Sequence, residues 1–240
     1  MSHGNKERLI FWDWTGTLAN ESRLDAAVCA AIEKAISRRQ GVSLSEARNR
    51  FQEYLRQLEG SWQWHDYIRH ARLFNLPWEK IQQFHLDKLC LLPGAKEALS
   101  SARELGFRNL LATNAVRAVV SHRLSYLGIA DLFDAIIASD DVAGLKACGL
   151  HFLHGLKLFG ADPRACFSVG DNPVQDMAPA RRLQIKTIYC PFGQNYTHYH
   201  TTHLKLNYQE TVQADFVVSS LAEIKKILAS ANNQAEKSVG

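Results

Sequence analysis

Short apolar runs that each stop at a polar residue, with helical stretches between them, constrain this chain of 240 residues more than any other feature. Arg8 to Trp12 (RLIFW) is right for a buried strand and ends at Asp13. Beyond Pro93-Gly94 the alternation becomes regular. Ala95 to Leu105 reads as a helix closed by Gly106, and Asn109 to Thr113 as a strand. Val116 to Leu127 is a helix stopped by Gly128, followed by a strand from Phe133 to Ala138. Leu150 to Phe159 is a helix stopped by Gly160, Ala165 to Val169 a strand, and Val174 to Leu183 a helix. Strands at Lys186 to Tyr189 and Phe216 to Val218 and a helix at Leu221 to Leu228 complete the series. Such alternation predicts a parallel sheet covered on both faces, with right-handed crossovers. Ligands of such sheets bind beyond the carboxyl ends of the strands.

The segment from Glu21 to Lys88 breaks this rhythm. Its apolar residues are helical throughout: Ala26, Val28, Ala30, Ile32 and Ile36 load one stretch, and Leu44, Ala47, Phe51, Tyr54 and Leu58 another. Trp62 to Leu73 continues the pattern, and Pro77 fits the first turn of a further helix. Hydrophobic residues at 46% and charged residues at 22% are globular proportions and exclude disorder or a coiled coil. No stretch reaches the roughly 20 apolar residues of a membrane span, and the N-terminus has no signal-peptide core. The net charge of +4 is mild and its basic residues are scattered, so neither nucleic acid nor membrane is expected as a partner. Five widely spaced cysteines without a CxxC pair read as free thiols of a reducing, cytoplasmic compartment. The polar tail from Ala229 is expected to fray.

The strand ends carry the chemistry. The first runs into Asp13-Trp14-Thr15-Gly16-Thr17-Leu18, another into Thr113-Asn114. The loop after Ala138 holds Ser139, Asp140, Asp141 and then Lys146. The strand ending at Val169 enters Gly170-Asp171-Asn172-Pro173, with Asp176 five residues past Asp171. Carboxylate and carbonyl oxygens without His or Cys suit Mg2+. Lys146, the Thr113 hydroxyl and amides after Asp13 are placed to hold phosphate oxygens. An aspartate such as Asp13 can attack phosphorus and split a hard hydrolysis into two easier steps.

In this order the four motifs resemble the haloacid dehalogenase (HAD) superfamily hydrolases of the phosphatase kind, over nearly the whole chain. The resemblance implies a Rossmann-like, doubly wound α/β core formed by residues 1–18 and 91–240, interrupted by a helical C1 cap at 19–90. It implies Mg2+ as cofactor and a small phosphorylated metabolite as substrate. Asp13 becomes the nucleophile, and Asp13, the Thr15 carbonyl and Asp171 become metal ligands, with Asp176 orienting the metal's water shell, helped by Asn172. Thr113, Asn114 and Lys146 become the phosphate binders. Whether the chain is a monomer or a dimer stays open.

The departures matter as much. The family's phosphatases carry an acid/base aspartate where this chain has Thr15, whose hydroxyl does not titrate near neutral pH. A slow phosphatase is expected, because such acid–base help is typically worth about 10²–10⁴-fold. P-type ATPases also have Thr at this position. Asp13-Trp14-x-Gly16-Thr17 is also similar to phosphonoacetaldehyde hydrolases, which use a cap lysine; Lys34, Lys80 and Lys88 miss the family's spacing, where Tyr54 falls. A non-catalytic phosphate-binding pseudo-phosphatase is the remaining alternative. Ala147-Cys148-Gly149 replaces the family's Pro-x-Pro, so Ala143 to Leu150 is expected to be looser than usual. Trp62, Trp64, His65 and Arg69 are candidates for substrate specificity, against plain helix packing. Arg48, Arg50 and Arg56 read as a solvated face, and His198, His200 and His203 as part of a long surface loop.

Overall fold

In the computed structural model, which describes residues 7–192 and 213–237, the first apolar run forms β1 (Leu9–Trp12). A tight turn leads to β2 (Ala19–Asn20) and then to four helices: α1 (Ser22–Gln40), α2 (Leu44–Gln57), α3 (Tyr67–Leu73) and α4 (Trp78–His85). Gly41 ends α1 in the left-handed region at φ 64°. Ser43 caps α2 by accepting from the Glu46 amide at 3.2 Å, and Asp66 caps α3 by accepting from that of Arg69 at 2.9 Å. Leu24, Val28, Ile32 and Ile36 repeat every four residues along α1, and they are buried against Phe51, Ala71 and Trp78. The chain leaves this segment through β3 (Cys90–Leu91), antiparallel to β2, so its entry and exit lie side by side.

The remaining elements follow the alternating pattern. They are α5 (Ala95–Glu104), β4 (Arg108–Thr113), α6 (Arg117–Tyr126), β5 (Ala135–Ala138), the single turn α7 (Ser139–Val142) and α8 (Leu150–Phe159). Then come β6 (Phe167–Gly170), α9 (Ala178–Arg182), β7 (Lys186–Tyr189), β8 (Phe216–Val217) and α10 (Ile224–Lys237). Six strands form one parallel sheet in the order β5-β4-β1-β6-β7-β8. The chain winds outward from β1 in both directions, the doubly wound α/β arrangement expected from the sequence. The order therefore reverses at β1, and a crevice opens beyond its carboxyl end.

Both faces of the sheet are covered. Leu9 and Phe11 pack with Leu110, Ile137 and Phe152, while Ile10 and Trp12 face Leu111, Val119 and Phe167. Gly155 lets α8 sit directly on the strands; a Cβ there would stand 2.4 Å from the Phe11 ring. The buried Trp12 indole donates to Asn109 Oδ1 at 2.9 Å, and the Asn109 amide nitrogen donates to the Leu99 and Leu132 carbonyls. No helix among the described residues is long and apolar enough to cross a membrane.

Three expectations need correction. The helix read at Val174 to Leu183 is broken: Pro173–Met177 is one wide π-turn, and only Ala178–Arg182 is α-helical. The wide turn rotates Asp176 inward, where its carboxylate meets Lys146. The segment around Lys146 is not loose. Its Lys146 amide donates to Asn114 Oδ1 at 2.8 Å, the Ala147 amide to Gln175 Oε1 at 2.9 Å, and Arg182 Nη2 to the Ala147 carbonyl at 2.8 Å. These side chains replace the stiffness that prolines would have given. Finally, the tail from Ala229 continues as helix to Lys237, because Ile224 and Leu228 anchor α10 in the core and Asn232 Nδ2 donates to the Leu105 carbonyl at 3.0 Å.

Candidate active site

β1 delivers Asp13 into the crevice between β4 and β6. Trp12 lies opposite Leu111 on one side and Val169 on the other, and the Asp13 amide still donates to the Val169 carbonyl at 2.9 Å. The chain then folds back on itself. The Trp14 carbonyl accepts from the amides of Leu18 and Ala19, both at 3.0 Å, and Gly16 takes φ 81°, a left-handed conformation that glycine adopts without penalty. The turn returns Thr17 to the carboxylate, where its hydroxyl donates to Asp13 Oδ2 at 2.9 Å. Asp13 Oδ1 accepts from the Lys146 ammonium.

Lys146 is 3% exposed and also donates to Asp176 Oδ1 at 2.5 Å. Burial alone would favour its neutral form, but the carboxylates of Asp13 and Asp176 outweigh it and hold the ammonium well above its ordinary pKa. Burial, with the Asp13 charge added, pushes the Asp176 carboxyl up to about 7 against the pull of Lys146. Asp176 reaches this place because residue 170 is glycine: a Cβ there would stand 2.3 Å from the Asp176 carboxyl carbon. Asn172 shapes the same turn, its Oδ1 accepting from the Val174 and Gln175 amides and its own amide donating to Asp176 Oδ2 at 3.1 Å.

Asp13, Asp171 and Asp176 are all buried, and each offers a carboxylate oxygen within 4.8 Å of the others. Three carboxylates against one lysine leave a formal charge of about −2 when all are ionised. A buried, oxygen-only donor set with that deficit fits a hard divalent cation such as Mg2+. Thr113 is 3% exposed; its Oγ1 accepts from the Ala115 amide at 3.1 Å and donates to no described residue. The Asn114 amide is turned toward the Lys146 loop, accepting from the Lys146 amide and donating to Gln175 Oε1 at 3.3 Å. Behind Thr113, His151 Nε2 donates to its carbonyl at 3.0 Å.

One small cavity is lined by Asp13, Thr15, Thr113, Asn114, Lys146 and Asp171 together with His65. Of the remaining sequence candidates, Asp176 is held behind Lys146. Trp64 is buried and lines a different cavity of about 410 Å3 within the helical segment, and Trp62 packs half-buried against the core. Arg69 is exposed, and Lys34, Lys80 and Lys88 are absent from the lining of the Asp13 cavity. Tyr54 instead pairs with His70 Nδ1 at 3.2 Å. Arg48, Arg50 and Arg56 are exposed and pair with Glu33, Glu46 and Glu53. The histidines at 198, 200 and 203 lie outside the described residues.

Sequence reasoning missed a second wall of the same cavity, made by Glu21, Asp25, Tyr67 and Arg123, and the Gln175 side chain beside the Lys146 segment. Thr15 faces it: its hydroxyl donates to Glu21 Oε1 at 2.7 Å. Glu21 Oε2 accepts from the Trp14 indole at 2.6 Å and from Arg123 Nη1 at 2.5 Å. Arg123 Nη2 donates to Asp25 Oδ1 at 2.9 Å and its Nε to Gln82 Oε1 at 3.0 Å. Burial pushes the Asp25 carboxyl up to about 7, while Arg123 and the Thr15 and Trp14 hydrogen bonds overcome burial and hold Glu21 below its usual range. A sequence signal existed: Arg123 falls on the stripe Val116, Val119, Val120, Leu124, where an apolar residue is expected.

Comparison with known proteins places these features in a family. The model of the haloacid dehalogenase-like hydrolases matches residues 7–184. The chain is 26% identical over 234 residues to a glyceraldehyde 3-phosphate phosphatase of Pyrococcus furiosus, covering 94% of each. It is 29% identical over 141 residues to a phosphoglycolate phosphatase of Nitrosococcus oceani, covering 59% of this chain and 58% of that one. Among solved structures, an HAD phosphatase from Thermococcus onnurineus superposes with a TM-score of 0.77 at 25% identity, covering 92% of this chain and 97% of that one.

Proposed function

Because the chain belongs to the haloacid dehalogenase-like hydrolases and acts on phosphate monoesters, we propose that it cleaves a small phosphate ester through an aspartyl-phosphate on Asp13, slowly, with Mg2+ as cofactor. The observation that carries this reading is the junction of Asp13, Lys146, Asp171 and Asp176 at the point where strand order reverses, beside Thr15, whose hydroxyl is bonded to Glu21. The Asp13 carboxylate attacks phosphorus as the ester oxygen departs and takes a proton from solvent water; water then attacks the phosphorus, loses its proton to solvent, and frees Asp13 as the carboxylate. Lys146 and the Thr113 hydroxyl hold phosphate oxygens, with Asn114 fixing the Lys146 loop. Asp13, Asp171 and the Thr15 carbonyl would hold Mg2+, Asp176 would orient its water shell, and the ion would supply the charge that lets an anion approach Asp13.

Thr15 is what makes the second step slow. Its hydroxyl is bonded to Glu21 and cannot take a proton from water as a carboxylate does. The division into a core of residues 1–18 and 91–240 and a cap of 19–90 belongs to this proposal, supported by the β2–β3 pair that ties both crossings together. A cytoplasmic setting is supported by five cysteines that are all free. The absence of a cap lysine from the cavity lining speaks against a phosphonatase.

Rapid quench after mixing with acetyl phosphate or p-nitrophenyl phosphate tests the reading. A burst of phosphate on Asp13 followed by slow release is expected, lost in Asp13→Asn and on chelation of the metal. Thr15→Asp is expected to raise steady-state turnover at least tenfold. An unlabelled Asp13 with every donor would favour the pseudo-phosphatase; full activity in Asp13→Asn would reject the mechanism.

A further inference from the structure

The wall facing the phosphate end of the cavity has an unusual charge balance. Glu21, Asp25 and Arg123 are 3%, 4% and 1% exposed, and all three line the cavity that contains Asp13. Arg123 reaches it from α6, on the sheet side, while the two acids project from Glu21 at the start of α1 and from α1 itself. Each nitrogen of the guanidinium donates within the protein, Nη1 to Glu21, Nη2 to Asp25 and Nε to Gln82, so its charge is balanced by two acids. Lys146, the cavity's other cationic side chain, is bound by Asp13 and Asp176. The leaving group of a phosphate ester placed for attack by Asp13 therefore meets two carboxylates and one arginine that they neutralise. Their free lone pairs accept hydrogen bonds, which hydroxyl groups give and a carboxylate cannot. The free volume is about 50 Å3, room for only a few waters at roughly 10–15 Å3 each.

Resting on the phosphatase reading above, we propose that Glu21, Asp25 and Arg123 select the leaving group, so that the enzyme takes phosphate esters of small, uncharged, hydroxyl-bearing alcohols and discriminates against esters that carry a carboxylate. The two classes are separated by charge rather than by size. Neutralised as it is, Arg123 serves as a scaffold for the two acids and not as an anchor for an anionic substrate.

Glycerol 3-phosphate and 3-phosphoglycerate have the same three carbons and differ in a terminal hydroxymethyl or carboxylate, so their kcat/KM ratio reads the wall directly. The full-length enzyme is assayed with Mg2+ at pH 8. Wild type is expected to favour glycerol 3-phosphate at least tenfold. In Asp25→Asn one counter-charge of Arg123 is gone, and the ratio is expected to fall at least fivefold, through the KM for 3-phosphoglycerate. A wild-type ratio near one, or a ratio unchanged in Asp25→Asn, overturns the proposal. Should that variant not fold, or should neither ester turn over measurably, the two compounds compete against acetyl phosphate hydrolysis by wild type, and equal inhibition constants overturn it as well. Failure to hydrolyse acetyl phosphate or to label Asp13 counts against the phosphatase reading instead.

Discussion

His151 shows how a single buried side chain ties the site to the stability of the whole chain. It is fully buried in α8, its Nε2 donates to the Thr113 carbonyl, and its Nδ1 has no hydrogen-bond partner among the described residues. Burial, with the nearby Lys146 charge, pushes its pKa down to about 3. An unfolded histidine titrates near 6.5. Between those values the unfolded chain binds a proton that the native chain refuses, so stability falls as pH drops below about 6.5. The slope from this residue alone approaches about 1.4 kcal/mol per pH unit. Asp25 and Asp176, both pushed up to about 7, act in the opposite sense, since their protonation relieves buried charge. The difference between wild type and His151→Gln isolates the histidine: on lowering pH from 7 to 5 the wild-type urea midpoint is expected to fall relative to that of the variant. Parallel shifts in the two proteins would mean that His151 is protonated in the native state.

At the scale of elements, α6 joins the sheet to the helical segment through one charged residue on an apolar face. Arg123 is fixed by Glu21 and Asp25, and by Gln82 of α4, with its guanidinium 5.9 Å from the Tyr67 ring. Removing it leaves two buried carboxylates without a cation, a change that typically costs about 3–5 kcal/mol. Arg123→Met is therefore expected to lower unfolding stability by about that amount in urea titrations. Combining it with Glu21→Gln and Asp25→Asn is expected to restore most of the loss, since the buried charge has gone. The helices and strands were largely legible because their apolar periods match their burial, as with Leu24, Val28, Ile32 and Ile36 along α1. This ion cluster was not legible. Glu21 and Arg123 are 102 positions apart, and neither carries a motif. Only the three-dimensional packing of α1 against α6 turns an ordinary glutamate and an ordinary arginine into one wall. The π-turn at Pro173–Met177 escaped for a similar reason: its apolar pattern is that of a helix, and the pull on Asp176 from Lys146 is a tertiary force.

For the molecule as a whole, the legible part of the site is the part that sits at strand ends. Asp13 and Lys146 lie 133 positions apart and still meet, because the parallel strand order brings the carboxyl ends of β1, β4 and β5 to one edge of the sheet and the segment after β5 carries Lys146 back toward β1. The same packing sorts the five thiols, and this can be measured. Cys90 and Cys148 are exposed, whereas Cys166 and Cys190 are buried. Cys29 is intermediate, but burial and the neighbouring Asp25 and Glu33 charges push its thiol up to about 12. Burial pushes Cys166 up to about 11 and Cys190 well above the ordinary thiol range. Since the thiolate is the reactive form, an aromatic disulfide reagent at pH 8 is expected to modify two thiols rapidly in the native protein and five after denaturation. Tryptic mapping should place the fast labels on Cys90 and Cys148. Rapid labelling of Cys29 would show that α1 is not packed against the acids as described, and rapid labelling of Cys190 would show that the end of β7 opens beside Asp171. In either case the wall or the metal-binding edge is less closed than the buried side chains require, and the leaving-group selectivity assigned to that wall should weaken with it.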